Sequence, residues 1–154
     1  MNLADLNLVL RTRAAADTGA GGMFLAGSTA FVNAWNWGAV PEGTTFPYVV
    51  QDVAAMVADN AFALDVIECR VRFGIWHERH STTDADPYLT VSNITKRIYG
   101  PWTAAGQSTA YGFHRFTPTF SGWTGTAMDF ITTFDESDQD LLHHVMEFRF
   151  WISQ

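Results

Sequence analysis

The sequence contains little of what a disulfide, a membrane-spanning helix or a nucleic-acid-binding surface requires. Cys69 is the only cysteine among the 154 residues, so no internal disulfide can form, and a lone thiol is typical of a reducing compartment. Lys96 is the only lysine and the formal net charge is −7, which disfavours tight binding to nucleic-acid phosphates. No apolar run approaches the roughly 18 residues of a membrane span, and the first arginines follow the N-terminal apolar stretch, the reverse of a secretory signal. We therefore expect a protein made in the cytoplasm, without membrane association.

Motifs for nucleophilic catalysis, nucleotide binding and metal binding are also missing. No G-x-S-x-G element occurs, and no glycine-rich segment has the lysine and spacing of a phosphate-binding loop. His77 and His80 end a predicted strand and would face opposite sides of it, so we interpret them as a solvated strand end. His143 and His144, with the acids of 135–140, are the ligand set that a metal-dependent hydrolase would use. The prediction is a protein without catalytic activity, cofactor or metal.

Apolar and aromatic side chains are abundant. The hydrophobic fraction is 47%, and six tryptophans, four tyrosines and twelve phenylalanines bring the aromatic fraction to 14%. A domain of this length buries about 68–70% of its unfolded surface and needs no disulfide or metal to fold. Because so many aromatic rings exceed what one small core holds, we predict that partner subunits cover some of them.

Two segments have the apolar spacing of amphipathic helices. The first is LADLNLVLRTRAA at residues 3–15, with an acid near its start and arginines near its end, the order that the helix dipole favours. The second lies in residues 84–101, where Asp86 is a suitable N-cap, Pro87 the first helical residue and Gly100 the stop. Its predicted apolar face comprises Tyr88, Val91, Ile94 or Thr95, and Ile98.

Alternation of polar and apolar residues predicts a series of strands. The clearest is 63–79, whose buried face would comprise Ile67, Cys69, Val71, Phe73 and Ile75. The others are 31–37, 48–57, 110–120, 127–135 and 143–154. On one side of 127–135 we expect Met128, Phe130, Thr132 and Phe134, and on the inward side of the last strand Met146, Phe148, Phe150 and Ile152.

A turn and a proline precede the second strand. Pro41-Glu42-Gly43 is turn chemistry. Pro47 cannot donate to a sheet ladder, so we predict that it is the first residue of its strand and that it marks a candidate sheet edge.

The order of helix, strands, helix and strands indicates an α+β protein rather than an alternating α/β one. We predict one domain over residues 1–154: a single twisted, mostly antiparallel sheet with two helices packed on one face. Trp76 and Trp151 then lie on the face opposite the apolar run, where either a second small core or a partner subunit would cover them.

The ordered pattern resembles the tail-terminator, or tail-completion, proteins of long-tailed phages and gene transfer agents. The matching features are the N-terminal helix, PEGTTFPYVV at 41–50, the alternating strand at 65–76, ITKRIY at 94–99, and HHVMEFRF at 143–150 after a polar loop. A Gly-rich loop at 19–30 and an aromatic stretch at 102–126 depart from the pattern.

The resemblance implies a structural virion protein of the tail or neck, made in the host cytoplasm. It implies a ring, usually a hexamer of this chain, that caps the tail tube protein and docks onto the head connector or stopper protein. DNA would pass through the lumen without specific binding. The residues that we expect at subunit contacts are Pro47, Tyr48, Trp35, Trp37, Trp76 and Trp151, and those expected to line the lumen are Asp135, Glu136, Asp138 and Asp140.

Two other functions are compatible with the sequence. A head-completion or stopper protein of the neck would share the ring geometry. A small-ligand-binding β-barrel would instead use the aromatic residues to line a cavity, and it would be a monomer.

Overall fold

The computed structural model describes residues 3–16, 32–59, 66–100, 112–120 and 122–153. Its elements, in chain order, are α1 (Leu3–Ala15), β1 (Ala34–Trp37), β2 (Tyr48–Asp59), β3 (Val66–Glu78), α2 (Pro87–Tyr99), β4 (Thr119–Phe120), β5 (Trp123–Gly125), β6 (Asp129–Asp135) and β7 (Leu141–Ser153). The α+β class and both helices agree with the prediction. No helix in these ranges combines the length and the apolarity needed to cross a bilayer.

One sheet joins all the strands, in the order β1-β2-β3-β7-β5-β4, with β6 also paired to β7. Every ladder is antiparallel except the one between β1 and β2, which is parallel. The predicted mostly antiparallel sheet is therefore confirmed. Among the described strands none joins β1 to β4 or β6, so this sheet is open and curled, unlike the closed barrel considered as an alternative.

The centre of the sheet is the pairing of β3 with β7, which runs from Val66 opposite Ser153 to Glu78 opposite Leu141. Alternation along both strands directs one set of side chains into the core, as predicted. The members of this set that are at most 1% exposed are Cys69, Val71, Phe73, Ile75, Met146, Phe148, Phe150 and Ile152. Burial raises the pKa of the Cys69 thiol to about 11, so this thiol stays protonated and unreactive near neutral pH.

Both helices pack on this same core. The buried residues of α1 are Leu6, Leu10 and Ala14, and those of α2 are Pro87, Val91, Ile94 and Ile98. The Asp86 carboxylate caps α2 by accepting from the Leu89 N–H at 3.0 Å, as predicted. Tyr88, predicted on the apolar face, is instead 57% exposed, because the buried stripe of α2 begins at Pro87.

The predicted turn before β2 is present. Thr44 donates its N–H to the Pro41 carbonyl at 3.2 Å. Gly43 has φ 78°, in the left-handed region that glycine adopts without strain.

β2 begins at Tyr48, the start of the predicted strand 48–57, so Pro47 lies immediately before the strand rather than being its first residue. The Phe46–Pro47 peptide bond is cis, and the Pro47 carbonyl accepts the N–H of Asn33 at 2.8 Å. Ala34 of β1 lies opposite Tyr48, so this end of β2 is paired on both sides. The predicted sheet edge is therefore absent next to Pro47, whereas beyond Gln51 no described strand pairs with this side of β2.

β1 is tied to α1 through the fully buried side chain of Gln51. Its Oε1 accepts the indole N–H of Trp35 at 3.0 Å. Its Nε2 donates to the backbone oxygen of Asn7 at 3.0 Å and to the Asn7 side-chain oxygen at 2.8 Å. Both polar atoms of this buried amide thus have hydrogen-bond partners. This avoids the free-energy cost of burying an unpaired polar group.

A β-bulge in β6 changes the predicted alternation of that strand. Phe130 pairs with Phe148 and Thr132 with Glu147, so Ile131 is the extra residue. Because a bulge shifts the alternation by one residue, Phe130 faces the core while Thr132 and Phe134 face the other side of the sheet. The prediction that these three residues share one side is therefore wrong.

The remaining strands differ from the prediction in their bounds. Of the predicted strand 110–120, the structure gives only β4 at its end, and residues 110 and 111 lie outside the described ranges. The short β5 was not predicted. β7 begins at residue 141 rather than 143, and β1 is described as a strand only from residue 34.

We expect Phe73→Ala to lower the free energy of unfolding by about 3–5 kcal/mol, as typical for a buried phenylalanine. Phe73 is fully buried, and its ring centroid lies 5.5 Å from that of Trp35 and 4.4 Å from that of Phe113. Urea unfolding measures the change. Leu89→Ala, at a position that is 53% exposed, is the control and should change stability by less than about 0.5 kcal/mol. Equal losses of unfolding free energy in the two variants would contradict the conclusion that Phe73 packs at the centre of the core.

Candidate assembly surface

The face of the sheet that points away from the helices, called the open face below, carries a row of stacked rings. Tyr48, Trp76 and His143 lie opposite one another on β2, β3 and β7. The Tyr48 and Trp76 ring centroids are 6.4 Å apart, and those of Trp76 and His143 are 3.6 Å apart with only 13° between the planes. Phe46 extends this aromatic row, 5.0 Å from Tyr48. The row is thus a continuous aromatic strip across three strands.

A groove of about 200 Å³ lies beside the aromatic row. Its lining is mostly apolar and comprises Val50, Asp52, Arg72, Gly74, Trp76, Phe134, Glu136, His143 and Val145. Gly74 makes room for the imidazole of the row, since a Cβ there would lie 2.8 Å from Nε2 of His143. The groove offers an apolar side chain or a short segment a place to pack.

His143 lies between the groove and the acidic segment 135–140, called the connector below. Its Nδ1 lies 3.2 Å from a carboxylate oxygen of Glu136. Burial lowers the pKa of His143, although the nearby carboxylates oppose this shift. The ring is therefore neutral near pH 7, and stacking on Trp76 holds it in place.

The rest of the open face is charged and paired within the chain. Arg72 Nε lies 2.7 Å from Glu147 Oε2, and Arg70 Nε lies 2.8 Å from Glu68 Oε1. Glu147 is only 6% exposed, so its carboxylate needs the compensation that the guanidinium groups give. The Arg149 guanidinium lies 4.8 Å from the Trp151 ring centroid. This half of the face therefore carries few unpaired charges for a partner.

The four tryptophans expected at subunit contacts fall into different environments. Trp35 is 4% exposed and belongs to the core, which corrects the prediction that it lies at a subunit contact. Trp37 is 45% exposed at the end of β1. Trp76 and Trp151 are half-buried on the open face, as their alternation predicted. Pro47 and Tyr48 are also half-buried, and Tyr48 lies opposite Trp76.

The four acids of the connector are exposed, and two of them also shape it. Asp135 Oδ1 accepts the Ser137 N–H at 2.7 Å, and Asp138 Oδ1 accepts the N–H groups of Asp140 and Leu141. Hydrogen bonds from Ser137 lower the pKa of Asp135, and those from Leu141 and Asp140 lower the pKa of Asp138. Both carboxylates are therefore fully ionised at neutral pH.

His77 was predicted at a solvated strand end, and that prediction is wrong. The side chain is 2% exposed, and its Nε2 lies 2.8 Å from the Asp84 carboxylate. Thr90 of α2 donates its hydroxyl to the same carboxylate. His77 thus ties β3 to the start of α2. The signal was present in the sequence, because His77 continues the buried alternation that ends at Ile75.

Among the residues that the structure describes, no three His, Cys, Asp or Glu side chains converge on a common point.

We expect Gly74→Ala to lower the free energy of unfolding by about 1–3 kcal/mol, because the added methyl group overlaps the His143 ring. In a His143→Ala background the overlap is gone. There Gly74→Ala should be neutral or should stabilise by up to about 1 kcal/mol, since alanine loses less backbone entropy than glycine in a strand. Urea unfolding of the four proteins gives the coupling energy. Additive effects would contradict the packing of His143 over Gly74.

Comparisons with known proteins found similarity among solved structures. No protein-family model and no curated protein matches the chain. Among solved structures, the chain is similar to one from the virion of a native gene transfer agent (GTA) particle, with a TM-score of 0.62. The sequence identity is 15%, and the similarity covers 98% of this chain and 96% of that one. At this identity the comparison establishes a shared fold over the full length of both chains.

Proposed function

We propose that the chain is a structural protein of a virion of the tailed-phage or gene-transfer-agent type, and that within the virion it is the tail terminator. The observation that supports this most is the end-to-end fold similarity to a chain of a GTA virion. A second support is the sequence pattern, above all PEGTTFPYVV at 41–50 and the closing HHVMEFRF at 143–150.

In this role copies of the chain form a ring, usually of six, at the end of the tail tube. One side of the ring binds the tube protein and the other the head connector or stopper protein. The aromatic row and its groove suit such contacts, because rigid aromatic side chains anchor protein interfaces. The chain acts by binding and assembly, with no reaction of its own.

Capping of tubes tests the proposal. The purified protein should have a native mass six times the 17.1 kDa of the chain, and in negative-stain micrographs it should appear as a ring at one end of isolated tail tubes that lack a neck. Tail tubes assembled in its absence should vary in length, since nothing stops their growth. Rings that bind isolated head connectors but never tubes would favour the stopper of the neck instead. A monomer with no affinity for tubes would overturn the proposal.

The lumen is the place that we assign to Asp135, Glu136, Asp138 and Asp140. An acidic wall repels DNA phosphates, so the genome slides through without sticking.

Neutralising the four acids should let the assembled protein bind DNA. The variant carries Asn at positions 135, 138 and 140 and Gln at position 136, which keeps the hydrogen-bond acceptors of the turns. We expect its affinity for duplex DNA at low salt to rise about tenfold or more and to fall again at high salt. Fluorescence anisotropy measures the binding.

The matched control changes four exposed acids elsewhere to their amides: Glu42, Asp52, Glu78 and Asp86. It raises the net charge of −7 by the same amount, and asparagine still caps α2. Equal gains in DNA affinity in both variants, or no gain in either, would contradict the assignment of the connector acids to the lumen.

A further inference from the structure

Several strand sides of the sheet face no described strand, including β2 beyond Gln51, the outer side of β4, and two further segments on β1 and β6, called the two margins below. At one margin, β1 pairs with β2 only along residues 34–37, and its outer side faces no described strand. At the opposite margin, β6 pairs with β7 alone. Each margin therefore presents backbone N–H and C=O groups that can extend a ladder.

The first part of β6 is covered, and its second part is not. Phe130 N–H lies 3.4 Å from Nδ1 of His114, and Arg115 lies 3.2 Å from Asp129. Beyond the bulge at Ile131, the described residues make no backbone–backbone hydrogen bond to 131–135 other than those with β7. This free segment is close in length to β1, which has four residues.

Neither β1 nor the segment 131–134 of β6 carries a charged residue or a proline, although β1 is short and β6 has a bulge, two features that also protect sheet edges. Charged side chains, lysine above all, and proline usually block such edges. β1 reads Ala-Trp-Asn-Trp, and the free segment of β6 is uncharged from Ile131 to Phe134. Each has an exposed large apolar residue: Trp37 is 45% and Ile131 is 39% exposed. Such edges are open to the addition of a partner strand.

Charge favours pairing of one margin with the other over pairing of like margins. The guanidinium of Arg11 borders the groove that also contains Trp37. The free segment of β6 ends at the ionised Asp135. Two copies of β1 side by side would bring arginines together, and two copies of β6 would bring carboxylates together, whereas the mixed pair brings opposite charges together.

We propose that the free segment of β6 in one copy of the chain adds to β1 of the next copy and so continues the sheet across the subunit boundary. The partner is thus a second copy of this chain. The two surfaces differ and lie on opposite margins, so the contact is head-to-tail, the type from which closed rings are built. This inference rests on the proposed function, and it replaces the edge at Pro47 with β1 and β6 as the contacts of the ring.

Lysine substitutions at the two margins test the contact. We expect Ile131→Lys and Trp37→Lys each to change the wild-type oligomer into a monomer by native mass spectrometry, because a charge blocks strand addition. Leu89→Lys, at a residue that is 53% exposed on α2 and away from both margins, should keep the oligomer. Far-UV circular dichroism and thermal unfolding establish that each variant is folded. Thr132→Lys takes the place of Ile131→Lys if that variant does not fold.

Mixing the two monomeric variants tests the head-to-tail geometry. Ile131→Lys keeps an intact β1 and Trp37→Lys an intact β6, so an equimolar mixture should form a dimer with one copy of each and grow no further. Monomers alone in this mixture would overturn the pairing of β6 with β1. A wild-type ring that both variants retain would overturn the edge contact and leave the tail-terminator role standing. A monomeric wild-type chain would overturn the ring and this contact with it.

Discussion

The register of β3 against β7 is the constraint on which both faces of this sheet depend. The two strands are paired from Val66 and Ser153 to Glu78 and Leu141 without a bulge. A slip by one residue would send every core side chain of one strand to the open face. Phe73 and Phe148 help to fix the register, because both are fully buried and their ring centroids lie 5.7 Å apart.

The two faces that result have different chemistry. On the helix side, Gln51 joins Trp35 to Asn7, and His77 joins Asp84. The open face instead combines ion pairs with an aromatic row and an apolar groove, and no described helix covers it. A surface of this kind is suited to contact with other proteins.

Assembly explains features that a catalytic protein would not need. The only cysteine is buried and protonated, and the buried His77 lies beside the Asp84 carboxylate, which Thr90 of α2 also binds. Uncharged strand edges and exposed apolar side chains, by contrast, are a liability in a monomer and useful in a ring. The fold shared with a GTA virion chain fits the same interpretation. The strand edges and the open face would then determine which partners bind.

Local patterns in the sequence determined the two helices, the alternating strand around Phe73 and the cap at Asp86, because periodicity and capping act over a few residues. They also placed Trp76 and Trp151 on the open face. The parallel pairing of β1 with β2 and the stack of Tyr48, Trp76 and His143 depend on contacts between distant segments. The bulge at Ile131 likewise emerges only when β6 is paired with β7, and it turns Phe134 to the open face. Only the tertiary structure decided which edges of the described strands stay unpaired. Any alternating segment can pair with any other, so the sequence does not show which strands lack a neighbour.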